Sequence, residues 1–313
     1  MTAFSACGCF ACMPLPSSGG FIDVAGESAI IVWNSSTQTE HFIRSVTFNA
    51  SGTDFGFVVP TPSVPHITAA DPAAFQYIKE HILPGYVPDV PYTLPPPGTR
   101  GEITGGLARV EVMAQESVDG TDVTTVSASD TDGLKAWMTA NGFTWTDDMA
   151  SWLDPYIQKN WVITLFKYQK KDSSLGSVSS SLLDMTFQTT VPFFPYSEPA
   201  SQRVSGNFAP RRALNVYLFS DSRMYGGMEV NPDKVQWPAK LLYADRVAPS
   251  KLNALLPLLH LRAWDFPASP WLTVLRDTKT PRPGVADVVF VASDRQVPVV
   301  VSDLQDRVAN PWD

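Results

Sequence analysis

Apolar and polar side chains alternate along much of the chain, which is the pattern of half-buried β-strands. Segment 40–48 shows this alternation, and segment 28–34 is a strand-like apolar run. The two lie on either side of the polar stretch SSTQT, so they predict a hairpin. A third strand is predicted over 54–60, after the turn-forming letters NASG. These three segments predict an antiparallel meander.

A second strand pair is marked by its turn. Segments 108–118 and 121–129 are separated by Asp119-Gly120, a dipeptide that favours a tight hairpin turn. Two helices and then a long strand over 161–171 are predicted to follow, so the order of elements in this unit is β-β-α-α-β.

The helices of that unit are indicated by their end signals. The first is predicted to begin at Ser129 or Asp130 and to stop at Asn141-Gly142, a left-handed cap signal. The second is opened by TWTDD and is kinked or restarted at Pro155.

Prolines recur between residues 61 and 99. They are interrupted by segment 72–83, which predicts a short helix with Asp71 as its N-cap. Segment 84–98 cannot donate ladder hydrogen bonds at its prolines, and it is expected to form an ordered loop or an extended strap.

The pattern as a whole predicts the α+β class: a β-rich protein with mainly antiparallel sheets and a few short helices. Further strands and a helix near 249–256 follow a serine-rich stretch. Two regions are expected, an α+β region over 1–171 and a β-rich region over 182–313, packed together as one body.

The composition argues against three classes of protein: disordered chains, nucleic-acid-binding proteins and membrane-spanning proteins. Of 313 residues, 44% are apolar and 17% are charged, which suffices for a large core and excludes a wholly disordered chain. The net charge of −8 repels phosphate backbones, so nucleic acid is not an expected partner. No apolar run reaches the length of about 18 residues that a membrane span needs.

The first residues bear on localisation. Met1 to Ala6 has neither a basic nor an apolar signal region, so no signal peptide is expected in this chain. The stretch AFSA before Cys7 is typical of the small-residue tail left when a signal peptide is trimmed, and Met1 is then interpreted as an added start. Low charge and 27 prolines also suit an extracytoplasmic protein. The alternative is a cytosolic protein with an ordinary N-terminus.

Four stretches in the same order carry a family resemblance. They are ACGCFAC (6–12), GTDFGFVVPTPSVPHI (52–67), VEVMAQESVDGTDVTTVSASDTDGLKAWMTANGF (110–143) and LDPYIQKNWVITLFKY (153–168). The chain resembles the bacterial family catalogued as domain of unknown function 2330. It departs from the family pattern at two places. Cys9 stands where the family has glycine, and Asp119-Gly120 stands where the family usually has a glycine directly after its qe.v motif (QESV here). The resemblance implies an envelope or secreted bacterial protein and brings no activity with it.

All three cysteines lie in the N-terminal segment, as Cys7, Cys9 and Cys12. The family-like pair Cys7 and Cys12 favours a small structural disulfide in an oxidising compartment, which leaves Cys9 as a free thiol or alternative partner. Zinc or copper is the alternative, since closely spaced thiolates suit both metals. One histidine would complete such a site: His41, His66, His81 or His260. Lipid attachment at Cys7 and a reactive thiol are further alternatives.

No recognised catalytic motif is present in the sequence: it contains no nucleophile elbow, no phosphate-binding glycine loop and no H-E-x-x-H. Tryptophans cluster over 137–161, and Trp137, Trp145 and Trp152 are candidates for a binding surface, with core packing as the alternative.

We therefore expect an extracytoplasmic, non-catalytic binding or scaffold protein of the cell envelope, whose partner is a protein or a glycan. It is expected to need no cofactor. The alternatives are a zinc or copper protein that uses the N-terminal cysteines, and a hydrolase of unrecognised type that acts on an extracellular polymer.

Overall fold

A computed structural model of the chain describes residues 13–16, 22–50, 54–83, 110–169, 176–200, 213–230, 233–279 and 282–300. The strands in chain order are β1 (Met13–Pro16), β2 (Ile22–Asn34), β3 (Thr39–Ala50), β4 (Asp54–Thr61), β5 (His66–Ala69), β6 (Val110–Val118), β7 (Thr121–Ala128), β8 (Val162–Gln169), β9 (Gly176–Ser179), β10 (Leu183–Gln188), β11 (Phe193–Phe194), β12 (Leu214–Ser220), β13 (Met224–Val230), β14 (Asp233–Gln236), β15 (Lys240–Arg246), β16 (Trp271–Asp277), β17 (Val288–Ala292) and β18 (Val299–Val300). The helices are α1 (Ala73–Tyr77), α2 (Thr131–Ala140), α3 (Met149–Gln158) and α4 (Pro249–Leu259). A π-helical turn (Ile78–Ile82) continues α1, and a 3-10 turn covers Ala263–Asp265. The predicted β-rich α+β class is confirmed.

Two large sheets stack face to face and carry helices on their outer sides. The first sheet has the strand order β1-β4-β8-β7-β6. The second has the order β18-β15-β16-β12-β2-β3-β10-β5, with β9 also paired to β3. A smaller sheet, β11-β17-β13-β14, adds Met228 and Phe290 to the core between the large ones. The layers are thus helix, sheet, sheet, helix.

Strand alternation distributes the core over three hydrophobic clusters. Phe42 on β3 and Phe166 on β8 belong to the central cluster between the sheets. The next residue along β3, Ile43, belongs to a cluster that includes side chains of α1 and α4. Leu165 on β8 lies in a third cluster with side chains of α2 and α3. Successive side chains of a strand point to opposite faces, so one apolar strand contributes side chains to two different hydrophobic clusters.

Local turn and cap signals work as the sequence predicts. Asp119 and Gly120 have φ values of 49° and 75°, the left-handed pair that a tight hairpin turn requires. The carboxylate of Asp130 accepts a hydrogen bond of 2.7 Å from the backbone N–H of Gly133 and so caps α2. The helix is followed by Gly142, whose φ is 78°. These predictions are confirmed.

The other predicted helices are also confirmed, with two refinements. Helix α1 begins at Ala73 and has Pro72, not Asp71, as its N-cap residue, although Asp71 accepts a hydrogen bond of 2.9 Å from the backbone N–H of Ala73. The helix expected near 249–256 is α4. Helix α3 runs through Pro155 as one element and does not restart there.

The centre of the second sheet brings distant parts of the chain together. Strand β2 pairs antiparallel with β3 and parallel with β12, where Glu27 lies opposite Leu214. Both predicted regions therefore contribute strands to one sheet, while the boundary between 171 and 182 stays a prediction. The predicted strap over 84–98 lies outside the described residues.

Candidate functional site

An open cleft lies where the C-terminal half of α3, the loop after β10 and the segment before β17 meet. Its volume is about 850 Å³. We call it the aromatic cleft because four aromatic side chains line it: Trp152, Tyr156, Trp161 and Phe193. Neutral polar groups also line it: Gln38, Gln188, Thr189, Thr190 and Ser197.

The four rings form a continuous row. The ring centroids of Trp152 and Tyr156 are 6.2 Å apart, and those of Tyr156 and Trp161 are 5.4 Å apart. Trp161 is in turn 5.2 Å from Phe193, at an interplanar angle of 58°. Such tilted and edge-to-face contacts suit the quadrupoles of neighbouring rings. Trp152, Tyr156 and Phe193 are only 4–5% exposed, so the row is a rigid apolar wall whose most accessible ring is that of Trp161.

The end of α3 explains why these rings meet. Trp152 and Tyr156 are four residues apart, so they share one face of the helix. The helix ends at Gln158, and Asn160 two residues later has a φ of 58°. The N–H of Trp161 then donates to the carbonyl of Tyr156 at 3.0 Å, and the N–H of Asn160 donates to that of Ile157 at 2.9 Å. This C-terminal motif turns the chain back and sets the Trp161 ring beside Tyr156.

Asp287 is the carboxylate held against the aromatic row. Its Oδ1 accepts hydrogen bonds of 3.0 Å from the hydroxyl of Tyr156 and 3.0 Å from the backbone N–H of Ser197. Burial raises the pKa of Asp287 to about 6, and these two hydrogen bonds, the charge of Lys159 and a hydrogen bond from the backbone of Tyr196 reduce the rise.

Two further charged side chains line the aromatic cleft, Lys159 and Glu229. The Nζ atom of Lys159 lies 5.7 Å from the centroid of the Trp161 ring. On the opposite side of the row, the indole N–H of Trp152 donates to the carbonyl of Ser197 at 3.0 Å. Ser197 is thus tied both to α3 and to Asp287.

A buried ionic network lies behind the cleft. Arg282 places Nη1 3.3 Å from Glu27 Oε2 and 3.9 Å from Glu198 Oε1, and its Nε is 3.6 Å from Asp277 Oδ2. Burial by itself lowers the pKa of Arg282, but the neighbouring carboxylates more than reverse this and raise it. The guanidinium therefore stays charged inside the protein.

Two more side chains extend this network. The Nε of Arg44 donates to Glu27 Oε1 at 2.7 Å, and the hydroxyl of Tyr196 donates to Asp277 Oδ2 at 2.6 Å. Removing one partner from such a network leaves an uncompensated buried charge, which typically costs about 3–5 kcal/mol. The network therefore strongly constrains the segments that carry it.

Those segments are the ones that form the floor of the aromatic cleft. Ser197 lies between the network residues Tyr196 and Glu198, and Asp287 follows Arg282 by five positions. The N–H of Glu198 also donates to the carbonyl of Gly284 at 2.8 Å, which links the two segments directly. The relative position of Ser197 and Asp287 thus depends on the buried ions.

The histidine proposed as a metal ligand, His41, lies in a different place. Its Nδ1 is 2.8 Å from Asp184 Oδ2 and 3.0 Å from Thr186 Oγ1, and its Nε2 is 4.0 Å from Asp265 Oδ1. Burial lowers the pKa of His41, but the hydrogen bond and charge of Asp184, with the charge of Asp265, outweigh burial and raise it. A protonated His41 is an ion-pair partner here.

Cys7, Cys9 and Cys12 lie outside the described residues, so the disulfide and the metal site stay predictions. Within the part of the chain that the structure describes, no group of three or more His, Cys, Asp or Glu side chains is arranged to hold a metal ion.

The three tryptophans proposed as a binding surface have different surroundings. Trp137 is 1% exposed and packs in the cluster beneath α2 and α3, and Trp145 is half-buried at the edge of that cluster. Trp152 lines the aromatic cleft, but it is only 5% exposed and belongs to the same cluster as Trp137. Of these three tryptophans, Trp152 is thus the one that borders the aromatic cleft.

Sequence reasoning did not identify Tyr156, Lys159 or Asp287 as site residues. Tyr156 carried a usable signal, because it follows Trp152 by one helical turn. Asp287 precedes the strand-like letters VVFVA, and nothing in the sequence connects it to a helix 130 positions earlier. Its role emerges only from the packing of β17 beside α3.

Comparison with known proteins identifies a family. No described helix is long and apolar enough to cross a membrane. No curated protein and no solved structure matches the chain. The profile of a bacterial family, described as uncharacterized protein conserved in bacteria (DUF2330), matches residues 3–280. The match covers most of the chain, and the chain therefore belongs to the DUF2330 family of bacterial proteins.

Proposed function

We propose that this protein is an extracytoplasmic binding protein of the bacterial cell envelope, which holds a glycan in the aromatic cleft without altering it chemically. The observation that carries the proposal is the row of four contiguous rings along an open cleft of about 850 Å³. Binding sites for small ligands combine such apolar walls with a few placed polar groups.

The surroundings of the row suit a sugar ring. The apolar face of a pyranose stacks on an aromatic wall, while its hydroxyls need donors and acceptors at the edge. Gln38, Gln188 and Thr190 supply such groups on the lining of the cleft. The aromatic row is also preorganised by α3 and by the buried ionic network, so little ordering entropy is lost on binding.

Tryptophan fluorescence tests the proposal, since two indoles border the cleft. Oligosaccharides from envelope polymers should change the emission in a saturable way. Substituting Trp161→Ala should weaken binding by about 5- to 30-fold, the effect of about 1–2 kcal/mol lost with one stacking ring. Trp161→Phe should lose less.

Trp264 provides the matched control. It is 73% exposed and lies outside the cleft lining, so Trp264→Phe should leave the affinity unchanged. An emission spectrum that no oligosaccharide alters, or an equal loss in both variants, would contradict the proposal.

A hydrolase acting on an extracellular polymer is the second candidate, favoured by the pKa of Asp287. A carboxyl with a pKa of about 6 is suited to donate a proton to a leaving group near neutral pH. Glu229 lines the same cleft as a second carboxylate. Release of reducing ends from an envelope glycan, abolished by Asp287→Asn, would establish this function in place of simple binding.

The metal-binding alternative stays a prediction that concerns the N-terminal cysteines. Elemental analysis of freshly purified protein decides it. Stoichiometric zinc or copper that is lost on substituting Cys7→Ser would support a metalloprotein.

A further inference from the structure

We propose that the glycan bound in the aromatic cleft carries a cationic ammonium group, and that this group binds between the carboxylate of Asp287 and the ring face of Trp161. The inference rests on the proposed function and adds the chemical class of the ligand. Amino sugars with an unacetylated amine have this character.

The first observation is that the protein already holds an ammonium group at this place. Lys159 Nζ lies 5.7 Å from the centroid of Trp161, within the range of a cation–π contact. The same charge lowers the pKa of Asp287. Lys159 is an exposed side chain at the end of α3, so a ligand ammonium can displace it at little cost.

The second observation is the electrostatic state of Asp287. Its Oδ1 is held by Tyr156 and Ser197, and burial still raises its pKa. Hydrogen bonds from Tyr156 and from the backbone of Ser197 and Tyr196, together with the charge of Lys159, thus compensate the ionised carboxylate incompletely. A cation bound beside the carboxylate would supply the missing compensation, whereas a neutral hydroxyl would supply much less.

The third observation is the charge of the lining as a whole. Among the described residues that line the cleft, Asp287 and Glu229 are acidic and Lys159 is the one cation. The face of Trp161 adds the negative side of its quadrupole. A neutral sugar uses the stacking surface and the neutral polar groups of this site, while an ammonium sugar also uses its charge.

Three matched oligosaccharides test the inference: a β-1,4-linked glucosamine trimer, its N-acetylated form and its N-trimethylated form. The trimethylated form carries a charge that does not titrate. At pH 7.5 its affinity should exceed that of the N-acetylated trimer at least tenfold by calorimetry. From pH 7.5 to pH 5 its affinity should fall about tenfold, as Asp287 with a pKa of about 6 becomes protonated.

Two variants assign the effect to named side chains. Asp287→Asn keeps an oxygen for Tyr156 and Ser197 to donate to, and it should abolish both the preference for charge and the pH dependence. Lys159→Met removes the internal competitor and should tighten binding of the trimethylated trimer severalfold. Weaker binding by Lys159→Met would overturn the inference.

The outcomes separate this inference from the proposed function. If the N-acetylated trimer binds as tightly as the charged one at every pH, the cleft binds glycans and the ammonium inference is wrong. If none of the three changes the heat or the tryptophan emission, while Lys159→Met and the parent protein behave alike, both are wrong.

Discussion

Gly284 is the point at which the packing behind the aromatic cleft can be tested most sharply. Its φ is 50°, a conformation that side chains with a Cβ adopt only under strain. A Cβ built there would lie 2.8 Å from Oε2 of Glu198 and 3.1 Å from its Cγ and Cδ. The Glu198 side chain is fully buried in the ionic network, so a shift of this side chain disturbs its ion pair with Arg282.

The cost of Gly284→Ala has two parts. Holding alanine in the left-handed region costs about 1–2 kcal/mol. Pushing Glu198 away from Arg282 weakens a buried ion pair whose complete loss costs about 3–5 kcal/mol, so a partial shift adds about 1–3 kcal/mol. The free energy of unfolding should therefore fall by about 2–5 kcal/mol.

Gly142→Ala is the matched control. Gly142 also has a positive φ, of 78°, but a Cβ there would meet only the Nζ of Lys167, at 3.7 Å. This variant measures backbone strain alone, and any gain from a less flexible unfolded chain is common to both substitutions.

Urea unfolding followed by circular dichroism gives both values. The difference between the two variants isolates the collision with Glu198. Equal losses for Gly284→Ala and Gly142→Ala would refute the idea that the buried network is tightly packed against this segment.

Three other predictions concern titratable groups. The pKa of Asp287 is about 6 in the folded protein, against roughly 3.9 in an unfolded chain, so the folded state binds the extra proton between these values. The free energy of unfolding should fall by about 1–3 kcal/mol from pH 4 to pH 7, and Asp287→Asn should remove this slope in urea titrations; a slope unchanged by the substitution would contradict it. Burial lowers the pKa of His41, but the neighbouring Asp184 more than reverses this and raises it. The ion pair between His41 and Asp184 therefore stabilises the fold below a pH of about 6.5, and this stabilisation is lost as the pH rises. His41→Asn should flatten that part of the curve, and a steeper curve would argue against the ion pair. Oxidised protein should titrate with about one free thiol if Cys7 and Cys12 are joined, whereas three free thiols would exclude the disulfide.

Local signals account for the parts of the fold that the sequence predicts well. The turn at Asp119-Gly120 and the cap at Asp130 act within a few residues, and the structure confirms both. Such signals depend on backbone geometry that is the same in any protein, so they can be recognised without knowing the tertiary contacts.

Strand β2 is an element whose bounds could not be predicted from local sequence signals. Its predicted start is residue 28, but the strand begins at Ile22 and passes a register shift between Val24 and Gly26. A bulge interrupts the period of two, and Glu27 interrupts the apolar pattern although it is buried. Arg44 and Arg282 reach this acid from elsewhere in the chain and form ion pairs with it.

In the candidate site, too, residues with a local sequence signal could be predicted, and residues placed by tertiary contacts could not. Trp152 was identified because tryptophans are conspicuous and helical spacing is readable. Asp287 and Lys159 are common residue types whose importance comes from position alone. Their positions depend on how β17 and the loop after β10 pack against α3, and no short-range pattern encodes that arrangement.

The parallel pairing of β2 with β12 sets the order in which the protein can be completed. The partner of Glu27 in that pair is Leu214, so β2 cannot gain its second neighbouring strand until about two thirds of the chain has been synthesised. Until then β2 has an unpaired edge, which in other proteins invites association between chains. A chain with such delayed pairing is expected to fold slowly, because a long loop must close before these distant strands can meet.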